Sequence, residues 1–398
     1  MNGVRDFAMN IAIYLVIMLL TASSVFADTW TVERDGSGDY TVIQDAVNAA
    51  ASGDTIRIGP GRFNEGQIYT CPDWSEFVRV MINVPELTLI GSGDNTIIGQ
   101  EEVWELSQGQ HMGVVADDEF GNSVFTMESI CFENMGLGFR TDNVNLRVRN
   151  CLFRHCWKSI QVFGDAEAQT IEQCRFEDLE RDGLHLFVYG SQGLSVHDCV
   201  FSLWDHHTWN QRHISFSGVS DVLVEGCEFL EGTSGVIVSL GSTGAIRDSE
   251  FDGQSTIGFA AGPGSTIVID GCSFRNQDTV TRLYSSDTHL TATNCVIEDV
   301  QDCSVIVSSV ASLSFQDCDL AAGDRGTVWV EECTQTPPMH LDFTNNYWGT
   351  DNPDSIQALI HDRNDSDAVC RYVDYEPYLD ESTPVETKSM SDLKSLFR

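Results

Sequence analysis

Residues 267–300, with the sequence IVIDGCSFRNQDTVTRLYSSDTHLTATNCVIEDV, hold two copies of the pattern that decides the fold. In each copy, alternating apolar residues are followed by Gly or Asn, then by Cys, and then by a large apolar residue two positions later. Alternation is typical of a strand, and Gly or Asn tolerates the positive φ of a one-residue bend. The stretch therefore predicts a strand–bend–strand unit that repeats.

The same unit recurs from residue 131 to residue 346, with a period of about 24 residues. Ser249 replaces Cys in one copy, and Asn345-Asn346-Tyr347-Trp348 forms the last copy. From the second copy on, eight of the nine residues just before this position are Asn, Asp or Gly. The repeated Cys residues are Cys131, Cys151, Cys174, Cys199, Cys227, Cys272, Cys295 and Cys318.

One such unit cannot bury its own apolar face, so the units must stack at about 4.8 Å per coil. Stacking places the repeated Cys and Phe side chains in inward ladders, which predicts free, buried thiols rather than disulfides or metal ligands. Five further Cys residues lie outside the ladder, and their pairing stays open: Cys71, Cys156, Cys303, Cys333 and Cys370.

The two ends of the repeat predict capping helices. Ile43, Ala46, Val47 and Ala50 share one helical face, and residues 353–360 suggest a second short helix. Such helices would cover the open strand edges of the stack. We expect the repeat domain to span residues 28–380 and the tail, residues 381–398, to be disordered.

The N-terminus predicts export. Residues 11–20 form an apolar run after Arg5, and Val25-Phe26-Ala27 fits a cleavage site. The run is shorter than the roughly 20 residues of a membrane span, and no later segment is apolar enough for one. We therefore predict a signal peptide, residues 1–27, cleaved after Ala27, and a secreted or periplasmic protein. The alternative is a buried N-terminal helix.

The charge balance restricts the partners. The chain has 22 Lys and Arg against 60 Asp and Glu, a net charge of −38. Nucleic acids and anionic membrane surfaces would be repelled overall. We therefore expect no nucleic-acid partner and no membrane span, and the sequence does not predict an oligomeric state.

Three segments resemble a known family. These are DYTVIQDAVNAAASGDTIRIGPG at residues 39–61, the repeated Cys-x-Phe units, and NNYWGTDNPDSI at residues 345–356 with DYEPYL at 374–379. Over about residues 30–380 the chain resembles the exported right-handed parallel β-helix, or pectin-lyase-like, proteins. The resemblance implies an all-β fold: a single-stranded right-handed parallel β-helix of about 10–12 coils with short N- and C-terminal capping helices. It also implies a polysaccharide or cell-surface glycan as partner.

The resemblance does not supply a catalytic set. The paired Asp and Gly-His-Gly segments of polygalacturonases are absent, and so is the Arg-x-x-Arg-x-Pro pattern of pectate lyases. LWDHHT, at residues 203–208, is similar to the Trp-Ile-Asp-His strand of the lyases, but this is a four-residue match at a single place in the chain. A fold shared by lyases, hydrolases, epimerases and adhesins does not decide the reaction.

The middle of the chain is the predicted functional region. Seven bases and seven acids lie between Arg140 and Arg181, so this segment is neutral in a very acidic chain. Six of the ten His residues fall between His155 and His213. The coil that starts at Cys199 is 28 residues long and includes the aromatic segment 204–209. Loops carried on a rigid scaffold are where function concentrates.

Alignment of the coils on their Cys predicts that Arg140, Gln161, His185 and His213 share one outward position. Acid–base chemistry on a sugar needs carboxylates or His, and aromatic rings bind sugar faces. The catalytic candidates are therefore Asp182, His185, Asp205 and His213. The substrate-binding candidates are Arg140, Gln161, Arg181, Trp204, Trp209 and Arg212. The alternative is a solvated polar face with a protruding loop.

No metal site is assigned. Asp205, His206, His207 and His213 are ligand types for zinc or copper, but adjacent His residues in a strand point to opposite faces. Residues 361–367 are acidic but lack the Gly and terminal Glu of a calcium loop. No cofactor is therefore predicted with certainty, and only the general acidity leaves Ca²⁺ open.

Two classes of function remain, with a third as an outsider. The first is an enzyme that binds or processes an exported polysaccharide through residues 140–214, as a polysaccharide lyase or glycoside hydrolase. The second is a non-catalytic surface or periplasmic β-helix with a binding or structural role. The outsider is a periplasmic copper-accessory protein. Paired carboxylates about 5–10 Å apart would favour a hydrolase, and an Arg or Lys base beside calcium-binding acids would favour a lyase.

Overall fold

A computed structural model describes residues 27–71, 74–105, 109, 111–116, 123–164, 166–187, 192–203, 211–309, 312–333 and 339–382. The predicted signal peptide, apart from Ala27, lies outside the described residues, as do residues 383–398 of the predicted tail. Trp204, Asp205, Trp209 and the His206-His207 pair also lie outside them.

The chain folds as a right-handed parallel β-helix of about 12 turns, and the part of it described above contains two short helices. The helices are α1 (Ile43–Ala49) and α2 (Pro353–Gln357). The strands of the first turns are β1 Thr29–Val32, β2 Thr55–Ile58, β3 Gly61–Phe63, β4 Gln67–Cys71, β5 Trp74–Ile82, β6 Thr88–Gly99, β7 Met112–Ala116, β8 Val124–Asp142, β9 Asn145–Arg149, β10 Leu152–Phe163 and β11 Gln169–Glu172.

The strands of the middle turns are β12 Arg175–Leu179, β13 Asp182–Phe187, β14 Leu194–His197, β15 Val200–Leu203, β16 Arg212–Ser217, β17 Val222–Glu225, β18 Glu228–Leu230, β19 Ser234–Ser239, β20 Thr243–Arg247, β21 Glu250–Asp252 and β22 Ile257–Ala261. Those of the last turns are β23 Thr266–Asp270, β24 Ser273–Arg275, β25 Thr279–Tyr284, β26 His289–Thr293, β27 Val296–Glu298, β28 Cys303–Ser309, β29 Ser312–Gln316, β30 Val328–Val330, β31 Met339–Asp342, β32 Ile360–His361 and β33 Arg371–Asp374.

Each full turn contributes to three parallel sheets. The first sheet runs from β1 and β2 to β33, and the second carries the Cys-x-Phe units from β3 to β27. The third sheet runs from β5 through β7, β8, β10, β13, β16 and β19 to β32. The long strand β8 continues around two corners and belongs to all three sheets, whereas β6 and β10 turn one corner and belong to two sheets each.

The predicted inward ladders are confirmed. The rings of Phe132, Phe153, Phe176, Phe201, Phe229, Phe251 and Phe274 stack on one another, with centroid separations of 4.4–5.2 Å. All eight repeated Cys residues are free and buried. The Cys-x-Phe unit thus places its apolar side chains at the same position in successive coils. The core is therefore continuous along the axis.

The predicted bends are confirmed from the second copy on. All nine residues before the repeated position have positive φ, from 45° at Asp248 to 64° at Gly226. Gln173, which is neither Asn, Asp nor Gly, still has φ 53°. The corner therefore requires positive φ even at Gln173, although Gln adopts this conformation less readily than Asn, Asp or Gly.

The Cys residues outside the ladder divide into two groups. Cys333 and Cys370, 37 residues apart in the sequence, form a disulfide that joins the last turns. Cys156 and Cys303 are free and buried. The side chain of Cys71 lies outside the described residues.

Both capping helices are confirmed. Helix α1 buries Ile43, Ala46 and Val47, and the Gln44 amide exchanges hydrogen bonds of 2.7 and 3.0 Å with the Met81 backbone. The side-chain oxygen of Asn352 caps α2 by accepting hydrogen bonds from the first backbone N–H groups. In the ranges described above, no helix is long and apolar enough to cross a membrane.

Where a third-sheet strand begins, two consecutive side chains face the core. In five turns the first of the two is glycine, and a Cβ on it would stand 2.8–3.0 Å from a ring of the phenylalanine ladder. At Gly183 a Cβ would be 2.8 Å from the ring of Phe201. These glycines are Gly113, Gly138, Gly183, Gly235 and Gly258.

Candidate functional site

Three charged residues stand side by side on the outer side of the third sheet. Lys158 of β10 pairs in register with Asp182 of β13, which pairs with Arg212 of β16. Adjacent parallel strands lie about 4.8 Å apart, so the three side chains form a continuous charged row. The row joins residues of three successive turns.

Asp182 lies at the centre of this row and is only 1% exposed. Its Oδ2 is 3.5 Å from the Nε of Arg181. Burial raises the pKa of the Asp182 carboxyl, and the nearby charges of Lys158, Arg181 and Arg212 only partly oppose this effect. One carboxyl group is thus surrounded by three cationic side chains.

Lys158 is 8% exposed, and burial lowers the pKa of its amine while Asp182 acts in the opposite direction. Its Nζ lies 5.0 Å from the ring centroid of Trp157, and the guanidinium of Arg181 lies 5.1 Å from the same ring. Trp104, itself buried, stands 5.8 Å from Trp157. The Trp157 ring thus makes cation–π contacts with two of the cations beside Asp182.

A second outward row runs beside the charged row. Arg140, Gln161 and His185 occupy register positions on adjacent strands, which confirms their predicted alignment. The next residue in this row is Ser215, whose hydroxyl accepts a hydrogen bond of 3.3 Å from Arg212. Arg140 donates to Asp142 at 3.2 Å, and its guanidinium lies over the ring of Phe163.

The outward position predicted for His213 is wrong. Its side chain is fully buried, contacts the rings of Phe201 and Phe229, and has Nε2 3.1 Å from the carbonyl oxygen of Leu230. Burial lowers the pKa of His213 to about 3. In its turn His213 takes the first of the two inward positions, which is glycine in the preceding turn at Gly183. It therefore belongs to the core.

Only some of the other predicted site residues have side chains among the described residues. Arg181 and Arg212 lie around Asp182, as described above. Asp205, Trp204 and Trp209 lie outside the described residues, so their roles stay predictions. The backbone of His185 is in the second row, and its side chain lies outside the described residues.

The sequence analysis missed Lys158 and Trp157 as site residues. A signal was present, because Lys158 precedes Gln161 by the same three residues that separate Asp182 from His185. Alignment of both pairs would have placed Lys158 beside Asp182.

No metal centre is formed by the described residues: no group of three or more His, Cys, Asp or Glu side chains there could hold an ion. Of the four residues with zinc or copper ligand types, His213 faces the core and the other three lie outside the described residues. In the acidic segment 361–367, the Asp362 carboxylate accepts backbone N–H groups of Asn364 and Val373 at 2.8 and 2.9 Å.

The fold is shared with solved structures of low sequence identity. A lacto-N-biosidase of glycoside hydrolase family GH136 from Eubacterium ramulus has a TM-score of 0.56 and 10% identity, covering 96% of this chain and 72% of that one. A lidless DFA-IIIase from Arthrobacter chlorophenolicus A6 has a TM-score of 0.51 and 11% identity, covering 88% and 99%.

The catalytic unit of a GH87 alpha-1,3-glucanase from Streptomyces thermodiastaticus has a TM-score of 0.47 and 13% identity. That match covers 87% of this chain and 66% of the glucanase unit.

A family model of the right-handed β-helix region matches residues 188–320. Together with the three parallel sheets, this match defines the chain as a right-handed parallel β-helix protein. No curated protein sequence is similar enough to count as a relative.

Proposed function

We propose that this protein binds and cleaves an acidic polysaccharide on the outer side of its third sheet. The observation that carries the proposal is the buried carboxyl of Asp182 among Lys158, Arg181 and Arg212. One acid among three bases leaves a net positive site in a chain with a net charge of −38. Such a local field attracts a carboxylate-bearing sugar that the rest of the surface would repel.

A glycan ligand is further supported by the comparison. The E. ramulus protein, which has a similar scaffold, is named as a lacto-N-biosidase. At 10% identity the likeness itself concerns the fold, so the choice of ligand rests on the charges of this chain.

The residues of the site favour elimination over hydrolysis. Hydrolysis canonically uses two carboxyl groups on opposite sides of the scissile bond. On the two outward rows, within the described strands, Asp182 is the one acidic residue. Elimination from a uronate instead needs a base and positive charge at the substrate carboxylate, and Lys158, Arg181 and Arg212 provide both.

We assign the roles from the position of the two groups in the charged row, and the directions of their pKa shifts favour this assignment. Because burial lowers the pKa of Lys158, its amine is the base that removes the proton from the carbon next to the substrate carboxylate. The electron pair of that C–H bond forms a C=C bond as the neighbouring C–O glycosidic bond breaks. Because burial raises the pKa of Asp182, its carboxyl group is the acid that protonates the leaving oxygen. The products are an unsaturated chain end and a new hydroxyl end.

Non-catalytic binding is the second candidate. Arg140 is held by Asp142 and Phe163, and Arg212 by Ser215, so both guanidinium groups have fixed positions. A fixed pair of guanidinium groups binds carboxylates without any reaction.

Export completes the proposal. The predicted signal peptide would place the mature chain, which starts at Asp28, in the periplasm or outside the cell, where polysaccharides are found. N-terminal sequencing of the protein from a secreting host would return Asp28 as the first residue. A first residue upstream of Asp28 would overturn this part of the proposal.

The test uses polygalacturonate and alginate as probes. Unsaturated products are followed by ultraviolet absorbance, new reducing ends by a colour assay, and binding by calorimetry. We expect Lys158→Met to lose at least about 100-fold in product formation, the range typical of removing a general base. Asp182→Asn should also be slow, because it removes the acid, but it should bind with similar affinity, since the protonated carboxyl and the amide are both neutral. Asp299→Asn is the matched control, because Asp299 is exposed and Asn tolerates its φ of 53°.

The outcomes separate the candidates. Reducing ends without unsaturation would show hydrolysis and overturn the assigned roles. Binding without any product would support the second candidate. If neither probe is bound and neither yields a product, the proposal is overturned.

A further inference from the structure

We infer that the Cys333–Cys370 disulfide is a redox-active site, which a dithiol reductant opens by attack on the sulfur of Cys333. The buried guanidinium of Arg371 then stabilises the Cys370 thiolate that leaves. This site lies in the C-terminal turns, apart from the residues proposed to bind a polysaccharide. Its chemistry is set by the groups that surround the two sulfur atoms.

The disulfide links two sheets at the C-terminal end of the β-helix. Cys333 follows β30 of the third sheet, and Cys370 directly precedes β33 of the first sheet. The Cys333 N–H donates to the carbonyl oxygen of Ala368 at 3.0 Å, and the Met339 N–H donates to that of Cys370 at 3.1 Å. The state of this bond therefore decides whether the last turns are covalently closed.

A cation lies directly against both sulfur atoms. Nη1 of Arg371 is 3.0 Å from Sγ of Cys370 and 3.4 Å from Sγ of Cys333. Arg371 is 1% exposed, and burial lowers the pKa of its guanidinium. A thiolate at either sulfur would offset this effect, because opposite charges attract strongly where water is excluded. A neutral disulfide offers much less attraction, so Arg371 favours the reduced form.

The ladder thiols have different surroundings. In each of the seven from Cys151 to Cys318, Sγ lies 3.2–3.5 Å from the carbonyl oxygen two residues earlier. A carbonyl oxygen accepts the S–H proton and repels a thiolate, so this arrangement favours the protonated, unreactive thiol. At the disulfide, the guanidinium donates to both sulfurs, and the backbone N–H of Cys370 donates to Sγ of Cys333 at 2.9 Å.

The two sulfurs differ in access. Cys370 is 2% exposed, whereas Cys333 is partly exposed, so an incoming thiolate reaches Sγ of Cys333 first. The leaving group is then Cys370, whose sulfur is the closer of the two to Arg371. A thiolate of low pKa leaves faster, and the adjacent guanidinium lowers that pKa. Access and charge therefore favour the same direction of attack.

The reaction is a two-electron exchange. A thiolate of the reductant bonds to Sγ of Cys333, and the electron pair of the Cys333–Cys370 bond moves to the sulfur of Cys370. The second thiolate of the reductant then attacks the reductant sulfur that is bound to Cys333, and Cys333 leaves as a thiolate. The reductant departs as a disulfide, and the Cys333 thiolate takes up a proton from water.

The acidic residues near the disulfide in the sequence are solvated or held by other groups. Glu332, next to Cys333, is exposed. The Asp362 carboxylate accepts the backbone N–H of Val373 at 2.9 Å, and Asp374 pairs with His340 at 2.9 Å. The charged group in contact with both sulfurs is the Arg371 guanidinium.

The test measures reduction of this bond in dithiothreitol redox buffers at pH 8, by thiol alkylation and peptide mapping of the intact protein. We expect Arg371→Met to lower the equilibrium constant for reduction about tenfold, because the thiolate then loses its cation. Arg371→Lys, which keeps the charge, should stay within about threefold of the unmodified protein. An unchanged constant in Arg371→Met would overturn the inference.

Arg363→Met is the matched control for these variants. Arg363 belongs to the same segment and donates to the carbonyl oxygen of Val369 at 2.9 Å, next to Cys370. Its loss should leave the equilibrium constant for reduction unchanged. An equal drop in Arg363→Met and Arg371→Met would show that general loosening of the segment controls the bond, and would overturn the inference.

Two further measurements do not require an Arg371 variant to fold. Brief treatment of the unmodified protein with glutathione, followed by an acid quench, should place glutathione on Cys333. In Cys333→Ser, the pH dependence of alkylation should give Cys370 a pKa at least about one unit below the ordinary value of about 8.5. Glutathione on Cys370, an ordinary or raised pKa there, or a bond that resists both thiols would overturn the inference.

Discussion

The carbonyl oxygen of His213 lies only 2.7 Å from the point where a Cβ on Gly183 would stand. The two residues are neighbours on adjacent third-sheet strands, and each directly follows a member of the charged row, Asp182 or Arg212. The absence of a side chain at Gly183 therefore permits the close strand approach that brings Asp182 and Arg212 together.

The first prediction concerns this contact. Gly183→Ala should cost about 1–3 kcal/mol of unfolding free energy, because its Cβ would overlap the backbone of the next strand and the ring of Phe201. It should also weaken binding of acidic oligosaccharides by displacing Asp182 from Arg212. Denaturant unfolding and calorimetry would measure the two effects.

Gly262→Ala is the control for this substitution. A Cβ there would be 3.4 Å or more from its neighbours, and no positive φ opposes it. Equal stability losses in the two variants would contradict the close approach at Gly183.

The second prediction concerns the pH dependence of stability. His213 has a pKa of about 3 in the folded protein, below its ordinary value of 6.5, so the unfolded chain binds the proton more tightly. Its contribution is complete above pH 6.5 and is lost as the pH falls from 6.5 toward 3; at pH 5 the loss is about 2 kcal/mol. His213→Gln should therefore lose less stability than the unmodified protein between pH 7 and pH 5.

Denaturant unfolding at the two pH values measures this difference. His289→Gln serves as the control, because His289 is exposed. Parallel pH profiles for the unmodified protein and His213→Gln would show that His213 is not buried in the neutral form.

The third prediction concerns the aromatic ladder. Phe229 is fully buried between Phe201 and Phe251, with ring centroids 5.2 and 4.6 Å away. Phe229→Ala should cost about 3–5 kcal/mol, because it leaves a cavity in a continuous stack. Tyr284→Ala, at a half-exposed ring, should change stability far less. A loss below about 1 kcal/mol for Phe229→Ala would argue against a closely packed ladder.

The fourth prediction concerns the thiols. In denaturant without reductant, a thiol reagent should modify all eight ladder Cys residues, since all are free. Cys333 and Cys370 should react only after reduction, because they form the disulfide. Without denaturant the ladder thiols should react slowly, because they are buried and burial raises the pKa of Cys131 and Cys272 to about 12. Peptide mapping that finds bridged ladder Cys residues would contradict the structure.

Much of the fold follows from local sequence. The ladder depends on one Cys-x-Phe unit per turn and on a bend residue with positive φ, and both are properties of a few adjacent residues. The two capping helices are likewise visible in short segments, because the apolar period of 43–50 and the Asn-Pro pair at 352–353 act locally. The residues of the inward Cys and Phe ladders were therefore predictable one by one.

The site depends on distances that the sequence does not contain. Ser215, and not His213, takes the outward place beside His185, because third-sheet strands begin with two inward residues, and strict alternation from the Cys position cannot show this. Lys158, Asp182 and Arg212 are 24 and 30 residues apart, and they meet only because coils of unequal length are brought into register by strand pairing. Register reflects the packing of all the turns together, so the tertiary structure alone decided which charges became neighbours.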